Sequence, residues 1–243
     1  MTPPTIIPQE TPPAFLGVAR SATGRLWRDR LDARGAAQAL AIVQRYQLPE
    51  MLARVLAGRG VDLDAVDDFL DPTIRKLMPD PFTVTQMEAA ATRISDAVTR
   101  GEKVAIFGDY DVDGATSSAL LAWHLRHCGL DPLIHIPDRI FEGYGPNVDA
   151  VKALAAKGAK LLVTVDCGTT SIEALAEAKR LGMSVVVIDH HQCGDDLPIV
   201  DALVNPNRPD DLSGLGHLAA VGLVFVTLVA VNRELRKRGF WKA

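Results

Sequence analysis

The stretch VAIFGDYDVDGATSSALLAWHL, from Val104 to Leu125, decides the fold. Val104 to Phe107 is an apolar run of buried-strand length, and it empties into a turn carrying Asp109, Asp111 and Asp113. Gly114 closes that turn, and an apolar-rich helix is predicted from about Ala115. Three carboxylates this close repel one another, and folding alone has no use for them. At the junction of a strand and a helix N-terminus they have the form of half a metal site for phosphate chemistry.

Working outward, the pattern from Lys103 onward alternates strand and helix. Strands are predicted at 103–108, 132–137, 161–166, 184–189 and 200–204, and helices at 115–128, 148–157, 171–181 and 216–238. Gly129, Gly158 and Gly182 read as helix stops, Asn147 as an N-cap, and Thr170 with Glu173 as a capping box. The runs LLVTV and SVVVI are apolar without alternation, as parallel strands covered on both faces require. The fold class is α/β, a doubly wound, mostly parallel sheet without internal repeats.

Before it lies a small helical N-terminal region at 15–80, with short helices in AAQALAIVQRY, PEMLARVLAGRG and DLDAVDDFL. Asp62 reads as an N-cap there, and Gly58 and Gly60 as stops. The proline-rich DPTIRKLMPDPF bounds this region, and Thr85 with Glu88 reads as a capping box for a helix ending at Gly101. Residues 1–14, rich in Pro and Thr, read as an unstructured tail. In SATGRLWRDRLDARG, Arg20, Arg25, Arg28, Arg30 and Arg34 surround Trp27. The preferred reading is a solvated basic helix face, and the alternative is a grip on a single nucleic-acid strand.

At 243 residues and 48% hydrophobic content the chain can bury a sizeable core. Its longest apolar stretch, Leu215 to Val231, is broken by Gly216, His217 and Gly222, so a buried helix is expected rather than a membrane span. No secretion signal opens the sequence, and Cys128, Cys167 and Cys193 lack metal or disulfide spacing, which points to a cytoplasmic protein with reduced thiols. The first hundred residues are charge-balanced, so the whole net charge of −4 falls in the α/β region. That argues against a generic basic nucleic-acid binder, although bound cations would invert the local field.

In an open parallel sheet, ligands bind at the carboxyl ends of the strands. One predicted strand ends at Asp109, Asp111 and Asp113, a second at Asp166 before Cys167 and Gly168, and a third at Asp189, His190 and His191. A lone Asp there is most often a cap and a lone His most often structural, but this convergence has no ordinary structural use. Carboxylates mixed with imidazoles suit Mn²⁺, Mg²⁺ or Zn²⁺, and several shared carboxylates suit a pair of ions. The chemistry expected is direct attack of a metal-activated water on a phosphoester, with no Ser or Cys nucleophile. Gly114 and the helix it opens would offer backbone N–H groups to a phosphate oxygen. Arg139, Tyr144 and Asn147 follow the second strand and are expected to face the site. For Arg139, a phosphate contact and a salt bridge to Asp138 or Glu142 stand as equal alternatives. Arg208, beside Asn205 and Asn207, is a weaker phosphate candidate. His124, His127, His135 and His217 read as structural.

The ordered set GDYDVDG, VDCG and DHH, each at a strand end, resembles the first three motifs of the DHH phosphoesterase superfamily. Within it, SATGRLW, the LDP of FLDPTIRKLMPDP, IPDR with EGYGP, and VNPNRPDD resemble the RecJ family of single-strand-specific exonucleases. This resemblance implies a DHH domain at 81–243 and a single-stranded-DNA-specific 5′-to-3′ exonuclease of DNA repair and recombination. It implies two divalent ions, foremost Mn²⁺ with Mg²⁺ as the alternative, and single-stranded DNA as partner. Asp109 and Asp111 would serve the first ion, Asp166 would bridge, and Asp113 and His190 would serve the second. Asp111, Asp166, His190 and His191 would carry catalysis, with Asp189 and His191 behind the ligands or facing phosphate. Many small-molecule members carry a metal-binding His where this sequence has Phe107, which leaves Asp109 as the substitute.

The family also places a fourth motif, with a further metal-binding Asp, and a nucleic-acid-gripping domain after the helix at 216–238. Neither precedes Ala243, so the chain is expected to be the N-terminal part of a longer protein, with weak or no activity alone. Three alternatives stay open. One is a DHH enzyme for dinucleotides, short oligonucleotides or pyrophosphate. Another is an inactive fragment that only binds metal or single-stranded DNA. The third is a haloacid-dehalogenase-type phosphatase, since DVDGAT is similar to that family's D-x-D-G-T loop, but Gly108, Asp109 and Tyr110 intervene and DHH would go unexplained.

Overall fold

The computed structural model describes residues 14–241. The tail expected over residues 1–14 lies, Ala14 excepted, outside them. The chain divides into two compact units, one ending at Met78 and the other beginning at Pro79.

In the N-terminal unit, helices α1 (Ala33–Tyr46) and α2 (Glu50–Gly58) pack together over Ala39, Ile42, Ala53 and Leu56. Asp32 starts α1 by accepting the Gly35 N–H at 2.7 Å. Short helices α3 (Val66–Leu70) and α4 (Ile74–Leu77) follow. Asp62 precedes a 3-10 turn, and its side chain makes no capping bond. The arginine-rich stretch before α1 is not a helix. It turns at Ser21–Arg25, and the Phe15 and Trp27 amides donate to the Trp27 and Val18 carbonyls. The basic helix face is thereby corrected.

The second unit opens with α5 (Met87–Arg100) and continues as β1 (Val104–Phe107), α6 (Val112–His127), β2 (Leu133–His135), α7 (Val148–Ala156), β3 (Leu161–Val165), α8 (Ile172–Arg180), β4 (Ser184–Ile188), β5 (Ala202–Val204) and α9 (Ala220–Lys237). All five strands are parallel, in the order β2-β1-β3-β4-β5. Side chains alternate faces along each strand. Ile106, Val163, Val186 and Val204 meet α5, α6 and α9, whereas Ala105, Phe107, Leu162 and Val187 meet α7 and α8. The sheet is therefore doubly wound. Phe107 is fully buried and belongs to this core.

Neither expected capping box forms. The Thr85 amide donates to Asp211 at 2.7 Å, and the Gln86 side-chain carbonyl accepts the Leu203 amide at 2.6 Å, so both residues tie the helix start to the β5 side of the sheet. Ser171, not Thr170, precedes α8, without a side-chain bond. Helix α6 begins at Val112, earlier than expected, because Asp111 caps it by accepting from the Asp113 and Gly114 amides at 2.9 and 3.0 Å. Helix α9 begins later, at Ala220.

Gly114 is required by close approach. A Cβ there would lie 2.5 Å from the Asp109 carbonyl oxygen and 2.6 Å from its amide nitrogen, which are backbone atoms that no rotamer can move aside. Gly114→Ala is expected to lower the thermal midpoint by roughly 3–10 °C. Circular dichroism melting checks this, and an unchanged midpoint would mean that the turn and α6 are not packed this tightly.

Candidate metal centre

The chain leaves β1 for the edge strand β2 and then crosses to β3 on the other side of β1. This creates a switch point between the carboxyl ends of β1 and β3. Asp109 and Asp111 follow β1 and Asp166 follows β3, and ligand atoms of these three lie within 4.8 Å of one another. Asp166, His190 and His191 form a second such group, so Asp166 is common to both. Asp166 stands in the left-handed region at φ 61°. Its amide donates to the Ile188 carbonyl at 3.0 Å, which ties the turn to β4. Asp and Asn tolerate that conformation best among residues with a side chain.

The histidines are set by their partners. His190 Nδ1 donates to the Leu218 carbonyl at 2.9 Å, which fixes the tautomer. The Nε2 then faces Asp166 Oδ1 at 3.2 Å and Asp113 Oδ2 at 3.5 Å. His191 Nδ1 bonds Asp189 Oδ1 at 2.7 Å. Asp189 Oδ1 also accepts the His190 and His191 amides, and Oδ2 accepts the Thr169 amide. Burial raises the Asp189 pKa, yet these bonds hold it down at about 2. Asp189 in turn raises the His191 imidazole against the cost of burial. Asp189 is thus filled by the loop it organises.

Asp166 is in the opposite state. It is 1% exposed, and its Oδ1 is buried with no hydrogen-bond partner. Burial first, then the Asp113 and Asp111 charges, push it up to about 7. Burial also raises Asp109, against the bond from the Tyr110 amide. An orphaned carboxylate oxygen facing an imidazole nitrogen, among further carboxylates, fits a divalent cation, and the oxygen and nitrogen donors suit Mn²⁺, Mg²⁺ or Zn²⁺.

Several expected residues lie elsewhere or are already engaged. Asp113 is in neither ligand group. Its two oxygens accept the Ala220 and Val221 amides at 2.8 and 3.0 Å and cap α9. The Gly114 amide is taken by Asp111, so it is not offered to a phosphate. Asn147 caps α7 through the Ala150 amide and donates to Glu142. Arg208 is 8% exposed, bonding Asp210 and the Leu203 carbonyl, and a phosphate contact is corrected to an internal brace. Tyr144 does reach the centre. Its hydroxyl donates to the Asp166 carbonyl at 3.2 Å, and its ring meets His191 edge-on. Arg139 makes no ion pair among the described residues. Its guanidinium lies 5.3 Å over the Tyr110 ring and lowers the neighbouring Asp109 carboxyl against burial.

Sequence reasoning passed over a brace beneath the histidines. Asn205 is fully buried and donates to Thr169 Oγ1 and the His191 carbonyl, while Asn207 donates to the His190 carbonyl. Two asparagines flanking Pro206 at a strand end were the available signal.

Because the folded pKa of Asp166 lies above its unfolded value of 3.8, the folded state holds the extra proton between about pH 4 and pH 7. Stability of the metal-free chain should therefore fall as pH rises through that window, by on the order of 2–4 kcal/mol. His191, raised above 6.5, adds a loss of the same sign at the upper end, whereas Asp189 acts only below about pH 4. Melting in EDTA should show the midpoint dropping from pH 5 to pH 8. Asp166→Asn should remove most of that drop, and Mn²⁺ should raise the midpoint more at pH 8 than at pH 5. A flat profile would contradict the burial of an uncompensated carboxylate.

The family described as "DHH family, N-terminal domain" matches residues 103–239. The chain is 35% identical over 194 residues to the single-stranded-DNA-specific exonuclease RecJ of Bacillus subtilis (strain 168), covering 80% of this chain and 25% of that protein. It is 35% identical over 196 residues to the exonuclease of the same name from Escherichia coli (strain K12), covering 80% and 33%. The crystal structure of RecJ in complex with Mn²⁺ from Thermus thermophilus superposes with a TM-score of 0.66 at 27% identity, covering 82% of this chain and 28% of that one. The chain thus spans a quarter to a third of the length of these curated relatives. It belongs to the DHH family.

Proposed function

We propose that this chain carries the phosphodiesterase centre of a single-stranded-DNA-specific 5′-to-3′ exonuclease that uses two divalent cations, Mn²⁺ foremost. The observation that carries the reading is the buried, unpartnered Asp166 Oδ1 facing the His190 Nε2. The substrate class rests on the similarity to the RecJ exonucleases of Bacillus subtilis and Escherichia coli.

Asp109, Asp111, Asp166 and His190 would hold the cations, with Asp113 adjoining through His190. When bound, such ions supply Lewis acidity at a phosphoryl oxygen and lower the pKa of an attacking water. The remaining work belongs to the protein. Asp189 orients His191 and favours its protonated form, in which Nε2–H can donate to a phosphate oxygen. Tyr144 fixes the Asp166 backbone and flanks His191. Arg139, free of acidic partners among the described residues, offers a charge-assisted contact to the phosphodiester.

The test uses single-stranded DNA labelled at the 5′ or the 3′ end, with Mn²⁺, comparing this chain and a polypeptide of the relatives' full length that contains it. Mononucleotides should leave from the 5′ end, and duplex DNA should be spared. His190→Ala and Asp166→Asn should each lower the rate by more than about 100-fold, and Asp189→Asn by about 10–100-fold. Arg139→Ala should raise KM about tenfold with little change in kcat. Cleavage of dinucleotides with long strands left intact would sink the substrate assignment, and indifference to His190→Ala would sink the site.

A further inference from the structure

The stretch SATGRLWRDR plays no part in the centre described above, and its arrangement asks for a ligand. Phe15 and Trp27 are joined by a backbone bond across the turn at Ser21–Arg25, and the chain then runs past α2. Between this run and α2 lies a groove of about 380 Å³, whose lining includes Phe15, Arg28, Asp29, Arg30, Arg54 and Arg59. Arg30 lies across Gly58 at the end of α2, where even a Cβ would come within 3.4 Å of its Cδ.

Charge is what sets the groove apart. Its one carboxylate, Asp29, is paired with Arg54 at 2.7 Å. Arg28, Arg30 and Arg59 have no acidic partner among the described residues, nor do Arg20, Arg25 and Arg34. The unit does not lack acids, since Asp64 pairs with Arg45 and Asp68 with Lys76. Guanidinium groups left together repel one another and gain from an anion laid among them. On a chain of net charge −4 this is a local reversal of the field. Trp27, which directly precedes Arg28 in the chain, is 48% exposed, an apolar ring held in water. Arginines on phosphates with an aromatic ring for a base is the chemistry of single-strand binding. The groove takes a nucleotide-sized group, and stacking on Trp27 needs an unpaired base.

We propose that this groove of the N-terminal unit is a second binding site for single-stranded nucleic acid. Arg28, Arg30 and Arg59 contact the phosphodiester backbone, and Trp27 stacks on a base. The choice of single-stranded DNA as ligand rests on the function proposed above, but the groove's preference for an unstacked polyanion does not.

The experiment is fluorescence anisotropy of labelled (dT)15 with the intact chain in EDTA, across a salt series. Arg28 and Arg59 make no intramolecular side-chain bond among the described residues, so Arg28→Ala/Arg59→Ala should stay folded, which its melting curve checks. That variant should bind about tenfold more weakly at low salt, with the slope of log K against log salt reduced by about 1.4. Arg28→Lys/Arg59→Lys should keep the slope. Trp27→Ala should lose about tenfold on (dT)15 and nothing on inorganic polyphosphate. An unchanged slope in the double alanine variant overturns the site. Equal losses on both ligands in Trp27→Ala overturn the stacking role, and tighter binding of duplex than of single strand overturns the ligand. Because EDTA prevents turnover, this assay can fail while the nuclease reading stands. Binding through these arginines without any nucleotide release under Mn²⁺ by the polypeptide of the relatives' full length would sink the nuclease reading alone.

Discussion

Carboxylates of one sign, brought to one edge of a sheet, are the constraint on which the rest of this unit depends. Two strand ends at the switch point place Asp109, Asp111 and Asp166 with ligand atoms within 4.8 Å of one another. A third brings Asp189 and the two histidines alongside. Like charges at that range cost energy in proportion to how dry they are. The fold bears the cost by sorting the aspartates into two kinds. Asp111, Asp113 and Asp189 receive backbone or imidazole donors, and these hold the Asp111 and Asp189 carboxyls below the usual range. Asp109 and Asp166 are raised by burial, and one Asp166 oxygen is left with nothing to accept from.

The sorting uses helix ends. Asp111 caps α6 and Asp113 caps α9, so the partial positive charge at each N-terminus offsets a carboxylate within the cluster. The same bonds fix where the helices start. Helix α6 begins within the acidic turn itself, and α9 begins where the Asp113 carboxylate can reach its first amides. Local helix geometry and site electrostatics are in this sense one solution. The loop after β4 is held in the same manner from beneath, by Asn205 and Asn207 on the carbonyls of the histidine pair.

The sheet was legible in the sequence because its signals are local: apolar runs of strand length, each followed by a turn and an amphipathic stretch. The acidic ends of β1 and β3 were legible for the same reason. What escaped was the assignment of partners, which tertiary contacts decide. Thr85 with Glu88 has the spacing of a capping box, but Asp211, 126 residues away, claims the Thr85 amide. The arginines around Trp27 suggested a helix face, yet the Phe15 and Val18 backbone pairs with Trp27 instead. Arg208 resembled a phosphate contact until Asp210 and the Leu203 carbonyl absorbed its guanidinium. In each case the residue type was informative and its partner was not encoded nearby.

Asp113 shows how narrow the margin is between a structural and a functional carboxylate. Its capping of α9 is worth about 1 kcal/mol, whereas cation binding at a protein centre can reach about ten times that. Each oxygen also keeps a second lone pair after accepting one amide. Capping therefore does not disqualify Asp113 as a ligand. It links the two roles, because α9 packs against α5 and α6 through Leu223, Val224 and Val231 in the larger core. A charge change near His190 is then felt at the start of α9, and the position of α9 in turn sets the Leu218 carbonyl that fixes the His190 tautomer. Core packing on one face of the sheet and the orientation of His190 are held by the same few bonds.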